Sequence, residues 1–196
     1  MKSKESSFAD CVNRVQSCAR CSRMENRKRI LGSANGNLNS RIMFIAEAPG
    51  RLGADKYGIP LYGDQTGRNF EELLCIAGII RESVFITNAI LCNPRNGREN
   101  NDSPKMSEIR NCSVFLKETL EIVKPEYVVP LGSTALTSLA LIHWHNIKLS
   151  ESAGKLYSWN GSKLFPLYHP SPRARIWRNK ELQARDFIKL VELISC

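Results

Sequence analysis

The most constraining feature of this sequence is a run of five apolar residues, Ile42-Met43-Phe44-Ile45-Ala46, followed closely by Pro49-Gly50. A strand that alternates apolar and polar residues has one wet face, whereas an unbroken apolar strand needs both faces covered. Such a strand belongs inside a parallel sheet, and the Pro-Gly pair turns the chain as it leaves. Val84-Phe85-Ile86-Thr87 and Tyr127-Val128-Val129-Pro130-Leu131 repeat the pattern. Pro130 cannot donate to a ladder, which argues for a less central place for this third strand.

Amphipathic segments separate these strands. Residues Thr66 to Ala77 put Phe70, Leu73, Leu74 and Ala77 on one face, with Cys75 packed in the same helix and Gly78 as its stop. Ser107 can cap a helix to Val123 that carries Ile109, Cys112, Leu116, Leu120 and Val123 inward. Gly132-Ser133 opens another helix to about Ile142, and a last one covers Lys180 to Ile194. Asn160-Gly161 between Lys155–Trp159 and Lys163–Tyr168 is the dipeptide of a type I′ hairpin turn. The alternation predicts a three-layer α/β/α fold with a central, mostly parallel four-stranded sheet. Residues 1–196 read as one domain, of which 1–40 form a basic arm with little apolar surface, anchored by Cys18 and Cys21.

Ligands of open α/β sheets bind beyond the carboxyl ends of the strands. The polar clusters fall there: Glu47 to Arg51, Asn88, Gly132-Ser133, and His169 to Arg175. Glu47 is a carboxylate at a strand end, suited to positioning or deprotonating water. His169, in His169-Pro170-Ser171-Pro172, is suited to stabilising negative charge on a leaving group. Arg173, Arg175 and Arg178 surround it with charge that fits phosphates. Asn88 offers a donor and an acceptor on one planar amide, matching the edge of a nucleobase, and Tyr62 offers an aromatic face for stacking. His143 and His145 have no metal-ligand spacing and read as structural or surface residues.

The chain carries a formal charge of +9 and seven cysteines. That excess of positive charge favours a polyanionic partner. No apolar segment approaches the ~20 residues of a membrane helix, and the chain is expected in the cytosol, where cysteines serve as ligands or buried thiols. Cys18 and Cys21 are spaced as ligands of one metal centre, with Cys92 and Cys112 as the remaining pair, suiting either zinc or an iron–sulfur cluster. Cys11, Cys75 and Cys196 are left over, with Cys11 a possible substitute ligand.

With these residues in view, the chain resembles the iron–sulfur branches of the uracil-DNA glycosylase superfamily, families 4 and 5, from about Cys18 to the C-terminal helix. Ala46-Glu47-Ala48-Pro49-Gly50 is similar to the first family motif and His169-Pro170-Ser171 to the second. The resemblance implies a structural [4Fe-4S] cluster on Cys18, Cys21, Cys92 and Cys112, with zinc as the alternative. It implies that Glu47 handles the attacking water and that His169 binds the developing base oxyanion. Ala46, Pro49, Gly50, Leu61, Tyr62, Asn88 and Ser171 would then contact substrate, and Ser133, Arg173, Arg175 and Arg178 would contact DNA. Leu61 stands where family 4 carries a base-stacking Phe, and Gly63-Asp64-Gln65-Thr66-Gly67 is closer to family 5 spacing. No nucleophilic Lys lies in either motif. The implied activity is hydrolysis of the N-glycosidic bond of uracil or another deaminated base in DNA, by a monomer and without strand cleavage. The other reading is a non-catalytic DNA-binding protein stapled by a cluster or zinc.

Overall fold

The structure, a computed structural model, describes residues 2–195; Met1 and Cys196 lie outside the described residues. Among these residues five strands build one sheet: β1 (Ile42–Ala46), β2 (Phe85–Asn88), β3 (Tyr127–Pro130), β4 (Tyr157–Trp159) and β5 (Ser162–Leu164). Their spatial order is β2-β1-β3-β5-β4, parallel throughout except for the last pair. The four parallel strands are as expected; the fifth is the first arm of the hairpin, which joins the sheet as an antiparallel edge. Asn160 and Gly161 both take positive φ, 44° and 78°, as a two-residue type I′ turn requires.

Among the described residues seven α-helices flank the sheet: α1 (Lys4–Gln16), α2 (Ala54–Tyr57), α3 (Gln65–Ile76), α4 (Met106–Val123), α5 (Ser133–Ile142), α6 (Leu149–Ser152) and α7 (Lys180–Ser195). The period-2 geometry of β1 divides the core. Met43 and Ile45 point to a layer built with α1, α4 and α5 residues such as Phe8, Leu116 and Leu139. Phe44 and Ala46 point the other way, onto Phe70 and Leu73 of α3 and Phe187 of α7. Phe44 stacks on Phe187 at 5.7 Å and meets the edge of Phe70 at 5.3 Å, so truncating it removes apolar area on three elements together.

Four details depart from the sequence-based expectation. The first 40 residues are not a core-poor arm: α1 buries Phe8, Cys11 and Val15, and Phe8 packs edge-on against Phe85 of β2. Cys11 is therefore a core thiol, its pKa pushed up to about 11 by burial. β3 is central despite Pro130, which occupies the last strand residue; its carbonyl still accepts from Leu167 N, and the neighbouring Leu131 N donates to Ile45 O. Helix α4 is capped not by Ser107 but by Glu108, whose carboxylate accepts from Lys105 N at 2.7 Å. Cys75 is exposed, because it lies off the Phe70–Leu73–Leu74 face of α3. Among the described residues no helix is long and apolar enough to cross a membrane.

Candidate active site

Sheet hydrogen bonding continues beyond the strand ends and fixes the turns that follow. Ala89 N donates to Ala46 O and Ile90 N to Glu47 O, locking the β1 exit onto the β2 exit. Leu131 forms a parallel bridge with Leu167, and Gly132 N donates to Leu167 O at 2.8 Å. Gly132 has φ +99°, and a Cβ there would lie 3.6 Å from that of His169, so the start of α5 adjoins the histidine. Glu47, Pro49, Gly50, Leu61, Tyr62, Ser133, His169, Ser171 and Arg173 line one cleft of about 670 Å³, within the range of small-ligand sites.

Glu47 is oriented by a residue whose role the sequence did not signal. Thr134 Oγ1 donates to Glu47 Oε2 at 2.6 Å. Thr134 is the second residue of α5, whose N-cap Gly132 offers no side chain, so the carboxylate sits at a helix end of favourable dipole. The Ala48–Arg51 turn is braced from the Asn-rich loop. Asn93 Nδ2 donates to Pro49 O at 2.6 Å and to Asn101 Oδ1 at 2.9 Å, and Asn101 Oδ1 also accepts from Arg51 N at 2.9 Å. Arg95 then joins Asn93 to the buried carboxylate of Asp55 in α2.

His169 is only partly exposed, and among the described residues no protein group hydrogen-bonds either ring nitrogen. Burial lowers its pKa to about 4, against the opposing pull of the Asp64 carboxylate, so the ring is neutral near pH 7. Its turn is held by Asn69 of α3, whose Nδ2 donates to Pro170 O at 2.7 Å. Ser171 caps the following 3-10 turn, Pro172–Ile176, by accepting from Ala174 N. Leu61 takes φ +47°, a left-handed conformation that costs a side-chain-bearing residue about 1 kcal/mol, and local strain of this kind gathers at functional sites.

The other residues singled out in the sequence lie elsewhere. Ala46 is fully buried at the end of β1, in register with Asn88. Asn88 is itself buried, and its Nδ2 has no partner, a donor left free at the end of β2. Arg175 does not line the cleft. Arg178 is committed to Asp186 through two bonds of 2.6 and 2.5 Å, so its charge is answered within the protein. His143 is exposed and its carbonyl accepts from Trp159 Nε1, while His145 Nδ1 accepts from Ile147 N; neither lines the cleft. Asp64 and Trp177 also line the cleft, although neither stood out in the sequence, where Trp177 is an aromatic inside a basic run.

The metal expectation is corrected. Cys18, Cys21, Cys92 and Cys112 share one pocket of about 30 Å³ with Met24, Ile90 and Phe115. Among the described residues, however, no group of three or more His, Cys, Asp or Glu side chains could hold a metal ion. This overturns both the [4Fe-4S] cluster and the zinc alternative. Burial pushes the Cys112 thiol up to about 12 and that of Cys92 to about 11. Two sulfurs act as weak acceptors, Cys112 from Leu91 N at 3.3 Å and Cys21 from Asn111 Nδ2 at 3.5 Å. The N-terminal segment is held instead by α1 and by Arg23, which pairs with Glu108 and Asp102.

A mostly parallel sheet covered by helices, with a polar cleft beyond the carboxyl ends of its strands, defines the class of α/β protein to which this chain belongs. The family is given by comparison: a model of the uracil DNA glycosylase superfamily matches residues 34–192, and the chain belongs to that superfamily. It is 33% identical to a type-4 uracil-DNA glycosylase of Thermotoga maritima over 189 residues, covering 96% of this chain and 92% of that one. It is 31% identical to the type-4 enzyme of Archaeoglobus fulgidus over 192 residues, covering 95% and 93%. A type-5 uracil-DNA glycosylase of Pyrobaculum aerophilum is 28% identical over 193 residues, covering 84% and 83%.

Proposed function

We propose that this protein is a monofunctional DNA glycosylase that acts as a monomer and hydrolyses the N-glycosidic bond of uracil or another deaminated base. Its strongest support is that an oriented carboxylate, Glu47, and a neutral histidine with unengaged ring nitrogens, His169, line the same cleft. The target nucleotide must first leave the stack, at a cost of a few kcal/mol. Arg173 and Arg175, which make no ion pair among the described residues, supply phosphate contacts that offset this cost.

As the bond between C1′ and the base nitrogen breaks, the sugar gains positive charge and the base negative charge. Glu47 favours the first and accepts a proton from the water that attacks C1′. An N–H of neutral His169 donates to the oxygen where the negative charge gathers. The free Nδ2 of Asn88 suits a carbonyl acceptor on the same base. The departing base anion takes its proton from solvent, leaving free base and an abasic sugar. Without a nucleophilic Lys in either motif, the DNA strand stays intact.

The test is release of free uracil from a duplex carrying uracil opposite guanine, followed in single turnover. Wild type is expected to release base, while Glu47→Ala and His169→Ala slow release yet still bind abasic-site DNA. Binding without release by wild type would overturn the proposal and leave a DNA-binding protein. Full activity in both variants would remove these residues from the chemistry.

A further inference from the structure

The rim of the cleft carries more exposed aromatic surface than the reaction uses. Tyr62 and Trp177 both line the cleft while remaining 44% and 75% exposed. Tyr57, 48% exposed, meets Tyr62 edge-to-face at 5.8 Å, and the Lys56 ammonium lies 5.0 Å from the centre of its ring. The pair is held in place. Gly63, at φ +86°, lets the Tyr57 ring lie against the backbone, where a Cβ would come within 2.3 Å of it. Lys28 Nζ donates to Lys56 O at 2.7 Å and pins the end of α2 from outside.

Charge is interleaved with these rings. Among the described residues Lys56, Arg51 and Arg173 make no ion pair, whereas Arg23 and Arg178 are each committed to a carboxylate. Rings that present faces or edges to water beside free cations are the arrangement that binds unpaired nucleotides: bases stack on the rings and phosphates meet the cations. A fully paired duplex offers no free base faces to such a rim, because its bases are stacked on one another.

We propose that Tyr57, Tyr62 and Trp177 form a stacking platform for unpaired DNA flanking the target nucleotide, so that single-stranded DNA is a preferred substrate context. The inference rests on the glycosylase reading for the nature of the ligand, but its test needs no base release. Uracil-free oligothymidylate and a blunt duplex of equal length are titrated by fluorescence anisotropy at several salt concentrations. Tyr57→Ala, Tyr62→Ala and Trp177→Ala are each expected to weaken single-strand binding ~10-fold while changing duplex binding less than ~2-fold. Tyr→Phe at 57 and 62 should restore the single-strand affinity. The aromatic variants should keep the salt slope, and Lys56→Ala should reduce it by ~0.7 for the single strand.

Equal losses on both forms, or no loss on either, would overturn the platform, as would failure of the wild type to bind the single strand. Because half-exposed tyrosines contribute little to the core, circular dichroism melts of the variants should match wild type, and a collapse in stability would equally count against the assignment. A protein that binds single strands in this way but releases no uracil refutes the catalytic proposal alone. One that releases uracil with ring-independent binding refutes the platform alone.

Discussion

Replacing Thr134 by Val keeps the shape of the side chain and deletes one hydroxyl. That hydroxyl donates to Glu47 Oε2 at 2.6 Å, a charge-assisted bond in a partly buried position. Hydrogen bonds to charged groups contribute ~1.5–3 kcal/mol, and the access of water to Glu47 favours the lower part of that range. A loss of ~1.5–2 kcal/mol in the transition state corresponds to a ~10–30-fold slower step. Stability should hardly change, since Val fits the space and the carboxylate can turn to solvent. The assay is single-turnover release of uracil from a uracil–guanine duplex, beside the affinity for the abasic product. Thr134→Val should lower the rate ~10–30-fold with product affinity unchanged, and Thr134→Ser, which retains the donor, should recover most of it. A rate within threefold of wild type, or Ser behaving like Val, would refute the claim that Thr134 positions Glu47.

Other outcomes follow from the same geometry. The pKa of His169 is lowered to about 4 from an ordinary value near 6.5, so the unfolded chain takes up a proton that the folded chain refuses. Its contribution is full above pH ~6.5 and is lost as pH falls toward 4, by up to ~3 kcal/mol; His169→Gln should flatten this slope in urea titrations at pH 7 and 5, and an unchanged slope would contradict the assignment. Asn93→Ala breaks the bonds to Pro49 O, Asn101 and Arg95 and should destabilise by ~2–3 kcal/mol, lowering Tm by roughly 4–10 °C and slowing base release. A melt unchanged by more than a degree would show that the brace is not needed. Arg173→Ala should weaken DNA binding and reduce the salt slope by about 1, whereas Asp186→Asn should destabilise the fold by ~2–3 kcal/mol through the loss of its Arg178 partner. Calorimetry and salt titration read the two effects separately, and reversal of their order would reassign these residues.

Much of the fold was legible because its strands and helices carry unambiguous periods. The unbroken run Ile42–Ala46 became the strand that faces both core layers, and Asn160-Gly161 became the hairpin turn. Helix α1 was harder to read because Phe8, Cys11 and Val15 are dispersed among charged residues, and only a partner such as Phe85 makes them a core face. Pro130 misled because its missing N–H matters only at a ladder position that needs a donor, and the strand ends there. In the site, Glu47, Ser133 and His169 were readable as polar residues at strand ends. Thr134, Asn69 and Asn93 were not, since each acts through a bond to a chain segment dozens of residues away. The charge of Arg178 was visible but its Asp186 partner was not, and cysteine spacing could not report the burial and packing that surround those sulfurs.

The pairing of Leu131 with Leu167 also has a consequence in time. A chain in which only β1, β2 and β3 have assembled already holds Glu47 and Asn88 at adjacent strand ends. His169 joins them only after β5 docks on β3, a contact between segments more than thirty residues apart. That separation, 36 residues between Tyr127 and Lys163, is the smallest of the parallel set, against 85 between Ile42 and Tyr127. Any partly folded molecule that lacks this pairing therefore holds Glu47 and Asn88 without His169, and the cleft is complete only when all three parallel pairings are made.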